Sequence, residues 1–293
     1  NYRISSFHFA VKSTSVVEKI KENIHETYLG KMCLNNLRKF IPNFVYIYDH
    51  ITTTNEYGVN QSHVITEKIN GISLDRYINS KYFNMKDFFD IILQLCLALR
   101  TAQKMYGFVH WDLKPWNIMI VNLPSATTYE YIIDYKTVIN INTKIVPVII
   151  DYGKSHVINN NIHHGYVNMY ETNTFQDIYT LIITSLALII PINSNNSPRL
   201  NTHEINQVVT LLNFLHHTNF VKNKFCILNN GDILSGIKTF IDKEKSYDRL
   251  TQINSHNITN NTINPLDLFN YIYKHIDYNF IINRVSTYKS FNT

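Results

Sequence analysis

The chain has 293 residues, 45% of them hydrophobic and 17% charged, with a net charge of +5. That is enough apolar content to bury a substantial core. The basic residues are scattered, without the clustered patch of a nucleic-acid surface, and no run reads as a secretory leader or a bilayer span of about twenty apolar residues.

From the N-terminus, Phe7 to Lys12 alternates like a strand. Val16 to Leu37 follows with helical apolar spacing, and Glu18, Glu22 and Glu26 recur every fourth residue along one face. Phe44–Tyr48 and His63–Thr66 read as strands around a polar turn containing Asn55 and Gly58. Asp87 to Tyr106 is predicted to be a long amphipathic helix, with Phe88, Ile91, Ile92, Leu95, Leu99 and Ala102 inward. Tyr129–Ile133 and Thr137–Ile141 are strand-like and are expected to pair as a hairpin. Val148 to Ile150 is a β-branched run ending at Asp151-Tyr152-Gly153. Phe175 to about Ile190 is a strongly apolar helix, too short to cross a bilayer. Ser194–Pro198 and Gln252–Pro265 read as loop and linker. Glu204–His216 and Gly231–Lys243 read as helices, and a last helix starts near Asn264 with Pro265 in its first turn.

Chemistry concentrates at His110-Trp111-Asp112-Leu113-Lys114-Pro115-Trp116-Asn117, set between apolar runs. A carboxylate, a lysine and a carboxamide framed this way are unusual for a solvated loop, although the same residue types also crowd ordinary turns. A second carboxylate, Asp151, is delivered at the tip of the apolar strand. Asp151 and Asn117 are hard oxygen donors of the kind Mg²⁺ prefers.

The 110–117 segment resembles the catalytic loop of the protein kinases, H-R-D-L-x-x-x-N, and Asp151-Tyr152-Gly153 resembles their metal-binding D-F-G. Phe9-Ala10-Val11-Lys12 is similar to the strand-three V-A-I-K, and the order of elements agrees over roughly residues 5 to 190. The resemblance implies an α+β, bilobal protein-kinase-like fold. Residues 1–69 would form a small, partial β-rich N-lobe, and residues 70–293 a larger, mostly helical C-lobe with an inserted hairpin at about 123–146. It implies transfer of the γ-phosphoryl group of Mg-ATP to Ser/Thr hydroxyls of a protein substrate. Asp112 would accept the hydrogen bond of the attacking hydroxyl, and Lys114 would neutralise charge on the transferred group. Asn117 and Asp151 would hold Mg²⁺, and Lys12, paired with Glu26 or alternatively Glu22, would hold the α- and β-phosphates. Thr66 would be the gatekeeper, with the backbone of Glu67 and Ile69 meeting the adenine. Asp177 would bond the catalytic-loop backbone.

Three departures stand out. Eleven residues precede Lys12 and none is glycine. Either the segment has lost its first two strands, or the protein never had the phosphate-covering loop. Only 154–174 separate Gly153 from the next helix, and no Ala-Pro-Glu landmark lies there, which abbreviates the protein-substrate platform. Trp111 replaces the arginine that in the family pairs with a phosphorylated loop residue. The insertion and the Asn/Ile/Lys-rich composition are similar to kinase-like proteins of large DNA viruses, with some likeness to the haspin type. That resemblance implies a cytoplasmic or virion location. Two alternatives stay open: a small-alcohol phosphotransferase on the same fold, and a pseudokinase scaffold.

Cys33, Cys96 and Cys226 are far apart and read as reduced thiols, without metal or disulfide spacing. The pairs His163-His164 and His216-His217 read as ordinary surface or core residues. Asn195, Asn257 and Asn260 head glycosylation-like triplets that are expected to be fortuitous. Because tryptophan cannot pair with phosphate, activity is predicted to survive phosphatase treatment. A large loss after dephosphorylation would overturn that expectation.

Overall fold

A computed structural model describes residues 8–134, 137–167, 173–190, 200–217, 233–245, 263–276 and 285–287. Cys226, the three glycosylation-like triplets, the 194–198 loop, residues 252–262 of the linker and Phe7 of the predicted first strand lie outside them.

The architecture is α+β, with a small β-rich region and several helices, compatible with a two-lobed arrangement. The first sheet has β1 (Phe9–Thr14), β2 (Ile47–Thr54) and β3 (Asn60–Glu67) in the order β1-β3-β2, all antiparallel. Lys12 sits opposite Val64, and Ala10 opposite Thr66. The strands run further into the polar stretch than the sequence suggests. Asp49 to Thr54 is strand, whereas Phe44 lies outside β2 and forms an isolated parallel bridge with Ile149. Threonine explains the extension, because its β-branched side chain suits an exposed pleated surface despite its polarity. The turn falls at Asn55–Val59, as Asn55 and Gly58 suggest.

Helix α1 (Val17–Leu29) passes through one π-turn (Gly30–Leu34) into the short α2 (Asn35–Leu37). Its buried face is partly polar: Asn23, Glu26 and Thr27 turn inward, while Val17 and Ile24 are exposed. The Asn23 amide nitrogen donates to Ser62 Oγ at 3.0 Å, while its buried carbonyl oxygen has no hydrogen-bond donor among the described residues.

The second region is organised by α4 (Met85–Tyr106), reached through β4 (Ile72–Ser73) and α3 (Leu74–Ile78). Asn84 caps α4 by accepting from Asp87 N–H at 2.9 Å, and Gly107 ends it in the left-handed conformation (φ 53°) that glycine adopts without strain. Beyond the expected face, Phe89, Leu93, Cys96, Leu97 and Ala98 are also buried, so α4 is a central helix surrounded by structure. The expected hairpin is longer than the sequence suggests. Strands β5 (Ile118–Ile132) and β6 (Val138–Ile149) begin directly after Asn117 and end just before Asp151. Their register shifts between Asn122 and Thr127, around Pro124, which has no N–H to donate. The sheet has the order β4-β5-β6-β9, and β9 (Val285–Thr287) was not anticipated.

A hairpin of β7 (His156–Asn159) and β8 (Ile162–Gly165) precedes α5 (Gln176–Ile189), α6 (Thr202–His217), α7 (Ile233–Lys245) and α8 (Pro265–His275). These helices match the four expected ones within about two residues at each described end. Asn264 and Asp267 form a capping box at α8, with Pro265 in the first turn. Cys33 and Cys96 are buried free thiols, and burial raises both, Cys33 to about 11. No helix among the described residues is long and apolar enough to cross a membrane.

Gly71 lies against β5 so closely that a Cβ there would overlap the carbonyl oxygen of Ile120. Since β5 begins directly after Asn117, the backbone at Ile120 cannot yield without disturbing that residue. Gly71→Ala is predicted to destabilise the fold by about 1–3 kcal/mol, the usual cost of overpacking. An unchanged denaturant midpoint would show instead that β4 can shift freely against β5.

Candidate functional site

Four stretches distant in sequence meet between the two regions. Lys12, on β1, places Nζ 2.8 Å from Glu26 Oε2 and 2.7 Å from Asp151 Oδ1. The other oxygen of Glu26 accepts the Tyr152 N–H at 3.2 Å. Glu22, the alternative partner, pairs with Lys19 at 2.7 Å. Asp151 has φ +65°, a left-handed conformation that aspartate tolerates better than bulkier residues. The backbone on either side is fixed. Ile150 N–H donates to Asn117 O at 3.0 Å, and the buried Tyr152 hydroxyl lies 3.1 Å from Ile149 O and 3.2 Å from Val45 O.

The 110–117 segment is held from below by Asp177 at the start of α5. Its carboxylate accepts the His110 N–H at 2.7 Å and the Trp111 N–H at 3.0 Å. Trp111 has φ +63° and a buried side chain. A left-handed backbone at a bulky residue costs about 1–3 kcal/mol and persists only when its surroundings hold it; the Asp177 bonds do so here. His110 Nε2 lies 3.0 Å from Ile150 O, so that nitrogen carries the proton. Nδ1 then accepts the Asp112 N–H at 3.3 Å. Pro115–Asn117 forms one 3₁₀ turn, and the Asn117 amide donates to Asp112 O at 2.9 Å.

Asp112 is flanked by two ammonium groups. Lys114 Nζ is 2.5 Å from Oδ1, in ion-pair contact without hydrogen-bond alignment, and Lys154 Nζ donates to Oδ2 at 2.9 Å. Lys114 also lies 5.5 Å from the centre of the half-exposed Trp116 ring. Sequence reasoning passed over Lys154. Its signal was its position, a cation directly after Asp151-Tyr152-Gly153.

Burial works to raise the Asp112 carboxyl, but Lys114 and Lys154 outweigh it and hold it below the ordinary aspartate value. Asp151 behaves likewise, with burial overcome by Lys12. Both therefore favour folding above the ordinary aspartate range, and that contribution is lost as pH falls through their lowered values. Lys12 is raised to about 12, because Glu26 and Asp151 overcome its desolvation. Glu26 is raised as well, since its burial exceeds the effect of Lys12. With both oxygens bonded to an ammonium and a backbone N–H, the ion pair is the state we assign at neutral pH. Asp177 is pushed up to about 6 by complete burial, against the lowering effect of the His110 and Trp111 N–H groups it accepts. Its contribution has the opposite sign, declining as pH rises from the ordinary value through about 6.

Thr66, Glu67 and Ile69 lie at the end of β3 and just beyond it. The Glu67 carboxylate accepts from Arg38 Nε at 3.2 Å and from the Tyr46 N–H at 2.9 Å. Its own N–H is committed to Tyr46 O. The Thr66 hydroxyl donates to the Glu67 carbonyl at 3.2 Å. His163 and His164, read as ordinary residues, contact His156 Nε2 at 2.9 Å and the Tyr28 hydroxyl at 3.2 Å.

Asn at position 177 would offer one acceptor to two buried N–H groups. Asp177→Asn is thus predicted to destabilise the protein by about 1–3 kcal/mol, the cost of one unsatisfied buried donor. A thermal melt superimposable on wild type at pH 7.5 would contradict the role given to this carboxylate.

No protein-family model matches the chain. It is 31% identical over 296 residues to the uncharacterized protein 179R of Invertebrate iridescent virus 6, covering 92% of this chain and 24% of that protein. It is 34% identical over 210 residues to the uncharacterized protein 035R of Invertebrate iridescent virus 3, covering 63% of this chain and 19% of that protein. A third relative, from the same virus, is named probable kinase 098L; it is 29% identical over 130 residues, or 42% of this chain and 24% of that protein. The chain thus spans about a quarter or less of the length of each of these iridescent-virus proteins.

Proposed function

We propose that this chain is a phosphotransferase unit of the protein-kinase type, transferring the γ-phosphoryl group of ATP to Ser/Thr hydroxyls of a protein. The observation that carries this reading is Lys12 bridging Glu26 and Asp151 while the adjoining 110–117 turn presents Asp112 between two lysines. The similarity to a protein named probable kinase points the same way, although it covers less than half of the chain.

Phosphoryl transfer asks a protein mainly for positioning and charge stabilisation. In this reading the Lys12 ammonium, oriented by Glu26, binds phosphate oxygens of the nucleotide. The Glu67 carbonyl and the Ile69 N–H meet the adenine edge, beside Thr66. The hydroxyl oxygen of the acceptor attacks the γ-phosphorus as the bond to the β,γ-bridging oxygen breaks. Asp112 takes the hydroxyl proton, ADP departs with the bond electrons, and Lys114 offsets charge on the phosphoryl oxygens.

The donor set suits Mg²⁺. The Asn117 amide nitrogen is committed to Asp112 O, which leaves its oxygen as the ligand atom, and the Ile150–Asn117 bond brings that residue beside Asp151. Two hard oxygens, with no group of three or more His, Cys, Asp or Glu ligands among the described residues, fit an ion that keeps waters and substrate phosphates in its shell. When bound, Mg²⁺ would neutralise phosphate charge.

The test is transfer of labelled γ-phosphate from Mg-ATP to a generic protein acceptor and, separately, to small alcohols. The protein reading expects label on protein and a loss of at least about 100-fold in Asp112→Asn, in the range of removing a general base. Label on alcohols alone would replace it with a small-molecule phosphotransferase. No transfer, together with no Mg²⁺-dependent thermal stabilisation by ATP, would replace it with a binding module.

A further inference from the structure

We propose that Lys154 is a positioning residue for Asp112, and that it ties the segment after Gly153 to the 110–117 turn without phosphorylation. The inference rests on the phosphotransfer reading and extends it to how the site is kept ordered.

Lys154 reaches Oδ2 of Asp112 at 2.9 Å, on the opposite side from Lys114 at Oδ1. A carboxylate gripped at both oxygens by cations from different segments cannot rotate about its Cβ–Cγ bond without breaking one contact. Lys114 lies two residues from Asp112 and moves with the same turn. Lys154 arrives from another element, so it alone of the two fixes the carboxylate relative to the rest of the cleft.

The backbone carrying Lys154 is itself secured on both sides. Upstream, Tyr152 is fully buried, with its N–H on Glu26 and its hydroxyl between Val45 O and Ile149 O. Downstream, Ser155 N–H donates to Tyr152 O at 3.0 Å and Ser155 Oγ donates to His110 O at 3.3 Å. His25, on α1, donates through Nε2 to Ser155 O at 2.8 Å. His156 and Val109 then exchange both backbone hydrogen bonds, at 2.8 and 3.0 Å. Lys154 thus hangs on a strap anchored one turn away at each end, and little backbone entropy remains to be lost when its side chain engages. Further along, the Tyr28 hydroxyl meets His164 and the Tyr166 hydroxyl donates to Glu18 O, fastening the β7–β8 hairpin region to α1.

Trp111 gives the arrangement its meaning. Its side chain is buried, so the turn extends no cation toward the following segment from that position. The connection runs in the reverse sense, with a lysine of the following segment extended toward the turn.

The experiment compares wild type, Lys154→Met and Lys154→Arg in the complete protein. Because Lys154 is more than a third exposed, both variants should fold; thermal melts check this, and Lys154→Gln replaces any variant that does not. The expected result is a kcat lower by about tenfold or more in Lys154→Met, with the KM for ATP within about twofold, because an interaction that orders the reacting carboxylate is lost without touching nucleotide binding. Lys154→Arg should recover most of kcat. Full kcat in Lys154→Met, or an arginine variant no better than methionine at equal melting temperature, would overturn the inference. Zero-length carbodiimide cross-linking of Lys154 to Asp112, read by mass spectrometry, separates the two layers. An active wild type without this cross-link would refute the Lys154 contact alone. A cross-linked wild type without any phosphotransfer would instead refute the reading on which the positioning role depends.

Discussion

One ammonium group sets the geometry of this site. Lys12 stands between a buried carboxylate on α1 and a second carboxylate at the end of β6, and it is within 3 Å of both. Burying Glu26 is tolerable only with a cation and a backbone donor on its two oxygens, because an isolated buried charge would cost several kcal/mol. The pairing therefore fixes the rotation of α1 about its axis, the register at which β1 presents Lys12, and the path of the backbone through Asp151 and Tyr152. If α1 or β1 moved, the buried Glu26 carboxylate would lose its cation, whereas Lys12 and Asp151 are each partly open to solvent.

A second layer of constraint holds the 110–117 turn. Two conformations that ordinary residues avoid meet here, one in the turn at Trp111 and one across the cleft at Asp151. Each is held by bonds to a different element: Asp177 accepts the N–H groups of His110 and Trp111, and Asn117 O takes the Ile150 N–H. His110 completes the lattice by donating to Ile150 O while accepting from Asp112. Asp177 does this from full burial, which raises its pKa to about 6. Strain and desolvation concentrated in one small volume, supported by the helices α4 and α5 beneath it, are what functional sites commonly show.

Much of the framework was readable because it depends on short-range rules. The apolar spacing of α4 and α5, the start of α8 near Asn264 with Pro265 in its first turn, and the Asn55–Val59 turn are local, and the structure follows them. The candidate residues were readable for a different reason: carboxylates, lysines and an asparagine interrupting apolar runs are conspicuous wherever the chain folds. Where local rules misled, tertiary pairing was the cause. Asp49 to Thr54 resembled a loop by polarity but gains strand structure from β3, and β5 and β6 extend well beyond the short apolar runs that suggested them because each supplies the other's hydrogen bonds. Strand β9 is three residues long and, among the described residues, pairs with β6.

By itself the sequence determined the order and type of the main elements and which side chains carry reactive chemistry, since helical period, β-branching and turn residues act over a few positions. It favoured Glu26 over Glu22 as the partner of Lys12, although both lie on one helical face; the packing of α1 against β3 turned Glu26 inward and left Glu22 to Lys19. It gave no hint that Lys154 would reach Asp112, 42 residues away, because that contact depends on the strap between Tyr152 and His156 lying along the 109–112 backbone. Spacing along a helix or strand is written in neighbouring residues, whereas the meeting of side chains from separate segments is decided when those segments bury their shared surface.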